Sequence, residues 1–176
     1  MPFILALIVS LEVEVGFFAP NFEKDLIPVF NIGYTVSITE PFSINESITY
    51  WEKKHRESKG TYSKKYTFSE VELSETALFL MKRSPVIKAG AGINLNLLKN
   101  YVEETKEYGN YIITENYALN SVFPGLHIAL SIALPFKKFA VFAKLKEEIV
   151  LAGISESPFY TYGNIYKTAY SIGVSF

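Results

Sequence analysis

Eight segments of this chain alternate apolar and polar residues with a period of two, and this pattern constrains the fold more than any other feature. Successive side chains of a β-strand point to opposite faces, so the alternation predicts half-buried strands. No amphipathic helix of useful length interrupts them. The predicted strands fall in the ranges 11–17, 30–38, 44–51, 66–81, 87–97, 124–134, 141–149 and 166–176.

The seven connections between these strands alternate between long and short. The long ones are 19–26, 53–65, 99–121 and 151–164, and the short ones fall at 40–41, 82–85 and 135–138. In an up-and-down barrel this alternation brings all four long connections to one end and both termini to the other. Transmembrane barrels have this asymmetry, with short periplasmic turns and long extracellular loops.

The two faces of the predicted strands differ in a way that favours a membrane. In the ranges 87–97 and 126–134 one face is wholly apolar, and the other carries small residues with only Lys88 and His127 as ionisable groups. A water-facing surface carries a denser mixture of charges, whereas a narrow lumen accommodates small residues. We therefore predict an all-β, eight-stranded antiparallel up-and-down transmembrane β-barrel over residues 11–176. A soluble lipocalin-like barrel is the alternative.

Aromatic residues make up 15% of the 176 residues and cluster near the predicted strand ends. Membrane barrels place aromatic girdles at both interfaces, so we expect these side chains to form such girdles. They are Phe17, Phe18, Tyr50, Trp51, Tyr66, Phe68, Phe123, Phe136, Phe139, Tyr166 and Phe176.

The segment 66–81 changes phase partway along. Tyr66 and Phe68 have one parity, and Leu73 and the apolar residues after it have the other. A β-bulge near Ser69 and Glu70 would reconcile the two halves. The pattern leaves open which face of this strand is inward.

Composition excludes several classes of function. The absence of cysteine excludes disulfides, thiolate zinc sites and thiol catalysis, and two histidines make a His-rich metal site a poor fit. A net charge of −1 does not indicate the basic character that is typical of nucleic-acid-binding proteins. No glycine-rich phosphate loop or nucleophile elbow occurs. We therefore predict no catalytic residues, metal or cofactor.

The N-terminal residues form a short apolar run. Residues 2–11 contain one serine and no charge, which is too short for a membrane-spanning helix and is typical of the apolar region of a secretory signal. We predict that residues 1–10 are a signal-peptide remnant or an N-terminal extension. The alternative is a long first strand that begins near Ile4.

Three stretches resemble a known family. The range 84–93 is similar to a strand opening with Pro-x-x-x-x-Gly-x-Gly, 124–135 resembles a later glycine-containing strand that ends at a proline turn, and 170–176 resembles a C-terminal assembly signal. Together they resemble the small eight-stranded outer-membrane barrels of Gram-negative bacteria, the OmpA-, OmpX- and OmpW-like group. Ala129 and Ala133 stand where glycine is frequent in that group.

The resemblance implies an integral outer-membrane protein with periplasmic termini, but no single activity. It also implies insertion by the barrel assembly machinery, which would read Tyr170, Ile172, Gly173, Val174 and Phe176.

Charged residues recur on the face predicted to line the lumen. Buried charges must be paired, so the set predicts either a plug of ion pairs or a narrow conduit whose charges set selectivity. The residues are Glu12, Glu14, Lys88, His127, Lys144, Lys146, Glu148 and Lys167.

Two of the predicted loops carry candidate contact residues. The range 53–65 holds six lysines and arginines, which indicates a solvated hairpin tip or a contact with lipopolysaccharide phosphates through Lys53, Lys54, Arg56 and Lys59. The range 99–121 is rich in tyrosine, which favours a recognition surface or a protruding hairpin. Its tyrosines are Tyr101, Tyr108, Tyr111 and Tyr117.

These features favour a monomeric outer-membrane protein with a structural or surface-interaction role. Its expected partners are outer-membrane lipid or lipopolysaccharide, the barrel assembly machinery and an extracellular ligand. A narrow channel or transporter for small solutes is the first alternative. A lipid-modifying enzyme and a lipocalin-like binder fit the sequence less well.

Overall fold

A computed structural model describes residues 8–20, 26–108, 111–151 and 165–176. Eight antiparallel strands each pair with their neighbours in sequence, and β1 pairs with β8 to close the ring. The predicted eight-stranded up-and-down barrel is therefore confirmed. The described residues include no helix long and apolar enough to cross a membrane. The strands are β1 (Ile8–Pro20), β2 (Ile27–Thr39), β3 (Phe42–Lys59), β4 (Tyr62–Arg83), β5 (Val86–Tyr108), β6 (Tyr111–Pro135), β7 (Ala140–Val150) and β8 (Ile165–Ser175).

The barrel is apolar outside and polar inside, as predicted for a membrane-spanning barrel. Outward positions carry large apolar side chains, which we call the apolar belt, and inward positions carry small or polar ones. Inward polar residues include Asn31, Thr35, Ser43, Asn45, Ser74, Thr76, Asn94 and Asn96, whereas the belt includes Leu11, Ile32, Ile48, Leu73, Ile93, Leu126, Ile128 and Ile172.

The two ends of the barrel differ. The end that holds the start of β1 and the end of β8, the terminal end, has short connections at 40–41, 84–85 and 136–139. These are the short connections that the sequence predicts. The opposite end, the hairpin end, holds the connections predicted to be long.

The strands continue through two of those predicted long loops, which corrects the loop at 53–65 and confirms the protruding-hairpin interpretation of 99–121. β3 pairs with β4 as far as Lys59 opposite Tyr62, and Gly60 makes the turn at a φ of +59° that favours glycine. β5 pairs with β6 as far as Tyr108 opposite Tyr111. Towards the hairpin tips, beyond the buried side chains of Tyr66 and Val102, polar residues occupy both faces of these strands, so the hydrophobic alternation that identifies strands disappears. The predicted loop at 151–164 and most of that at 19–26 lie outside the described residues.

Within the residues that the structure describes, β3, β4, β5 and β6 therefore extend well past the other four strands. They contain 18, 22, 23 and 25 residues, against 11 to 13 in β1, β2, β7 and β8. We call the extension, residues 52–69 and 99–122, the protruding sheet.

The predicted bulge near Ser69 and Glu70 is also wrong. β4 pairs without interruption from Tyr62 to Leu80, and its register shifts only between Leu80 and Lys82. The inward residues of β4 are aromatic near the hairpin end and acidic nearer the middle of the barrel. In the sequence, this change from apolar to polar on one face looks like a switch of the apolar residues to the other face.

The N-terminal boundary is partly visible. Residues 8–10 belong to β1 and pair with residues 35–37 of β2. Residues 1–7 lie outside the described part of the chain, and the signal-peptide hypothesis for residues 1–10 stays a prediction.

Candidate functional site

Apolar side chains close the lumen at the hairpin end. The Trp51 ring lies 4.7 Å from the Phe18 ring and 5.1 Å from the Phe68 ring, measured between centroids. All three side chains are buried. We call this cluster the apolar plug, and it consists of Phe18, Ile27, Trp51, Phe68, Leu98, Phe123 and Val150.

The plug corrects part of the predicted girdle. Neighbouring aromatics on a strand must face opposite sides, so Tyr50 is 45% exposed on the belt while Trp51 is only 3% exposed inside. Phe18, Tyr66, Phe68, Trp51 and Phe123 are all buried rather than interfacial. The other predicted girdle residues are exposed on the outer surface: Phe17, Tyr50, Phe136, Phe139, Tyr166 and Phe176.

A network of charges lies directly beneath the plug. The ammonium of Lys167 donates to a carboxylate oxygen of Glu70, to Asn96 Oδ1 at 3.0 Å and to Glu148 Oε1 at 3.3 Å. The ammonium of Lys146 donates to Glu72. All five ionisable groups lie inside the barrel, where water cannot screen them. We call Glu70, Glu72, Lys146, Glu148 and Lys167 the plug-side network.

A second network lies nearer the terminal end. The ammonium of Lys144 donates to Glu14 and lies 3.7 Å from Glu12 Oε2. Neutral side chains donate further hydrogen bonds to both carboxylates, because buried carboxylate oxygens need donors. Glu14 accepts from Asn31 at 2.9 Å and from Ser171 at 2.5 Å, and Glu12 accepts from Thr35 at 2.5 Å and Asn45 at 3.1 Å.

The structure thus brings together most of the charges predicted for the lumen and adds two that the sequence analysis missed. Glu70 and Glu72 lie on the strand whose inward face the pattern left open. Their parity matches Ser74 and Thr76, and this small polar run is the signal that could have placed them inside. With them, the two networks and Lys88 comprise five carboxylates and four lysines among the described residues.

Three of these carboxylates form an acidic cluster. Oxygens of Glu70, Glu72 and Glu148 lie within 4.8 Å of one another. The ammonium groups of Lys146 and Lys167 already lie among them and donate to them. The arrangement is therefore a network of ion pairs.

The remaining two predicted lumen residues lie apart from the ion pairs. His127 Nε2 and Thr76 Oγ1 share a hydrogen bond of 2.7 Å. Gly92 permits this placement, because a Cβ there would lie 2.7 Å from the His127 ring and would overlap the backbone oxygen of Glu75. Lys88 has Ser43 Oγ at 3.5 Å and, within the described residues, no ion pair.

Three small cavities lie along the described part of the lumen. One under the plug measures about 50 Å³, one in the middle about 30 Å³, and one beside Lys88 at the terminal end about 180 Å³. The first two have room for a few water molecules at most. Side chains therefore fill the barrel.

The predicted lipopolysaccharide-contact residues lie on β3 of the protruding sheet, not in a loop. Lys54 and Arg56 point to the outer face of the sheet, whereas Lys53 and Lys59 have the opposite parity and face the side that continues the lumen. The four therefore do not form one patch. Lys65 lies opposite Arg56 on the outer face.

Charges of both signs are paired across the protruding sheet. Lys54 Nζ lies 2.9 Å from Glu52, and Lys65 Nζ lies 2.6 Å from Glu103 on β5. The hydrogen bond between Lys54 and Glu52 raises the pKa of the Lys54 ammonium and lowers the pKa of the Glu52 carboxyl. Both groups stay charged at neutral pH.

The tyrosine candidates are spread along the second hairpin. Tyr101 is exposed on the outer face of β5. Tyr108 ends β5, Tyr111 begins β6 and Tyr117 lies opposite Val102. The side chains of these last three are outside the described part of the structure.

The predicted assembly signal occupies the end of β8. Tyr170, Ile172 and Phe176 are exposed on the belt, and Val174 shares their face. The Phe176 amide donates to the Leu11 carbonyl at 2.9 Å. Gly173 faces inward, where a Cβ would lie 2.5 Å from the Phe142 ring.

Comparison with known proteins identifies solved structures of the same fold but no match by sequence among family models or curated proteins. No protein-family model and no curated protein matches the chain. Among solved structures, a major outer membrane protein of Thermus thermophilus has a TM-score of 0.60 at 10% identity, with 96% of this chain and 100% of that chain covered. Ail of Yersinia pestis has a TM-score of 0.56 at 10% identity, with 96% of each chain covered.

Two further solved structures have a similar fold. Neisserial surface protein A has a TM-score of 0.51 at 14% identity, with 95% of this chain and 94% of that chain covered. A second structure of Ail, with a TM-score of 0.52 at 10% identity and 96% of each chain covered, is a complex with the heparin analogue sucrose octasulfate. At these identities the likeness concerns the fold alone.

Proposed function

Because the chain has the fold of the small integral outer-membrane β-barrels, we propose that it is a closed barrel that presents the protruding sheet at the cell surface as a contact surface. The observation that carries this proposal is the extension of β3 to β6 past the other four strands, above a lumen filled by side chains. Rigid scaffolds that carry exposed polar elements are typical of recognition proteins. The terminal end then faces the periplasm.

The outer face of the first hairpin is suited to anionic sugars. Lys54, Arg56 and Lys65 share that face just beyond the belt, and Glu52 and Glu103, which pair with Lys54 and Lys65, would have to give way to a phosphate or sulfate group there. Lys99 lies on the same face of β5, opposite Ser69. Clustered cations gain free energy from phosphate or sulfate groups. Sucrose octasulfate bound to Ail is an example of this ligand chemistry on a barrel of the same fold.

The test compares two pairs of cations on the same strand. We expect the variant K54Q/R56Q to bind lipopolysaccharide about 10- to 30-fold more weakly, because each cation near an anionic surface contributes about 1 kcal/mol. Fluorescence anisotropy of labelled lipopolysaccharide with the barrel in zwitterionic micelles measures the affinity. The control K53Q/K59Q removes the same charge from the opposite face and should change the affinity by less than about threefold. Equal losses in both variants would show that only net charge matters, and would contradict the proposal for this face.

A closed lumen also predicts the absence of conductance. The plug and the two networks place packed rings and ion-paired side chains across the described lumen, so the purified protein should be silent in planar bilayers. Ion-selective openings in single-channel recordings, abolished by Lys146→Met, would favour the channel alternative. No catalytic step is proposed, since His127 faces the lumen and bonds to Thr76.

A further inference from the structure

Besides Glu147 on β7, two adjacent carboxylates interrupt the apolar belt within the described residues. Glu46 on β3 lies directly opposite Glu75 on β4, and both side chains are exposed on the outer surface. The Tyr34 hydroxyl on β2 donates to Glu46. Glu46 and Glu75 thus face outward, whereas every carboxylate of the two networks faces the lumen.

The pair lies deep in the belt. On the outward face of β3, Glu46 is four residues from Phe42 and four from Tyr50, and on β4, Glu75 is four residues from Val71 and from Phe79. At about 3.3 Å per residue and a strand tilt near 40°, four residues span about 10 Å of membrane depth. Both carboxylates therefore lie well inside the hydrocarbon region.

Such a position is unfavourable without a partner. A charge facing lipid is costly, and like charges directly opposite each other on a sheet add to that cost. The lumen lysines point the other way and cannot reach outward. The outward neighbours on the same row are Leu11, Tyr34, Ile93 and Leu126, so within the described residues this row supplies no cation.

The pair also lies in a groove. An open depression of about 860 Å³ on the outer surface extends from Leu11 on β1 to Leu126 on β6 and includes both carboxylates. The depression is also lined by apolar side chains, among them Ile32, Ile48, Leu73, Leu95 and Pro124, which we call its apolar wall. Acyl chains could fill the apolar part of this groove, but they offer no donor to Glu75, and Glu46 would keep only the hydrogen bond from Tyr34.

We propose that this groove is an intramembrane docking surface for a membrane-embedded protein segment that carries a lysine or arginine at mid-depth. The apolar wall holds the segment, and its cation lies between Glu46 and Glu75, where it removes their repulsion. A second copy of this chain does not fit, because a symmetric contact would bring two more carboxylates to the same place. The inference is independent of the role proposed for the protruding sheet.

The test uses the barrel in phosphatidylcholine vesicles and a synthetic leucine–alanine transmembrane peptide with one central lysine. Energy transfer between labelled barrel and labelled peptide reports association. We expect the lysine peptide to bind about tenfold tighter than the same peptide with leucine at that position. In the variant E46Q/E75Q the two peptides should bind alike. The control E147Q removes an outward carboxylate on β7 that accepts a hydrogen bond from Thr168, and should leave the difference intact.

Other occupants give distinct results. Equal binding of both peptides to the native barrel would overturn the proposal. Displacement of the lysine peptide by phosphatidylethanolamine would identify a lipid amine as the occupant, and self-association of the barrel that E46Q/E75Q abolishes would identify a second copy. Either result would replace the proposed protein segment. Circular dichroism confirms that the variants fold, which we expect because they remove charge from the lipid-facing surface.

Discussion

Replacing Lys167 with methionine is expected to lower the free energy of unfolding by about 3–5 kcal/mol, because the removal of one partner leaves buried charges uncompensated. Lys167 is 5% exposed, and its ammonium donates to Glu70, Asn96 and Glu148. Urea unfolding in lipid vesicles, followed by circular dichroism, measures the loss.

Lys88→Met is the matched control. It removes the same charge from the same lumen, but Lys88 borders the terminal-end cavity and its nearest polar contact is Ser43 at 3.5 Å. The expected change is about 1 kcal/mol or less. Adding Glu70→Gln to Lys167→Met should recover part of the stability, since it removes the unpaired carboxylate. If the two lysine variants lose equal stability, the plug-side network does not hold the barrel together as described.

Replacing Trp51 with alanine is expected to lower the free energy of unfolding by about 3–5 kcal/mol, as for large aromatic side chains removed from packed interiors. Its ring contacts Phe18 and Phe68 at the centre of the plug, so truncation leaves a cavity that the rigid strands cannot close. The measurement is again urea unfolding followed by circular dichroism.

The neighbouring residue supplies the control for this variant. Tyr50→Ala removes an aromatic ring from the same strand, but that ring faces the membrane, where lipid can fill the vacated space. A loss of about 1 kcal/mol or less is expected. A larger loss from Tyr50→Ala than from Trp51→Ala would mean that interfacial anchoring outweighs the plug.

The membrane-spanning part of the fold could be predicted from the sequence because lipid imposes strict alternation there. Runs such as 87–97 carry one wholly apolar face, and eight such runs with short turns at one end define a barrel. The protruding sheet could not be predicted in the same way. Around Lys54 and Glu103 charged residues stand at successive positions, so the alternation does not distinguish a paired strand from a loop, and the protruding hairpin at 99–121 could be given only as one of two interpretations.

The lumen was predicted less completely than the belt for a related reason. Trp51 and Phe68 are aromatic residues that face the lumen, and in the sequence they look like members of an outward aromatic girdle. If Phe68 is taken as outward, Glu70 and Glu72 seem to share its outward face, although they face the lumen. Only the pairing of β4 with both neighbours assigns these side chains to one face. The pairing of Glu46 with Glu75 likewise depends on register, which the sequence does not contain.

The unequal strand lengths favour an order of folding. The hairpins β3–β4 and β5–β6 pair residues that are close together in the chain, because only two residues separate the ends of the paired strands, so little chain entropy opposes their formation. The seam between β1 and β8 joins Glu12 to Ser175, from opposite ends of the chain, and its strands are much shorter than β3 to β6. The long central ribbon can therefore form early and act as a template, with the β1–β8 seam closing last and opening first under stress.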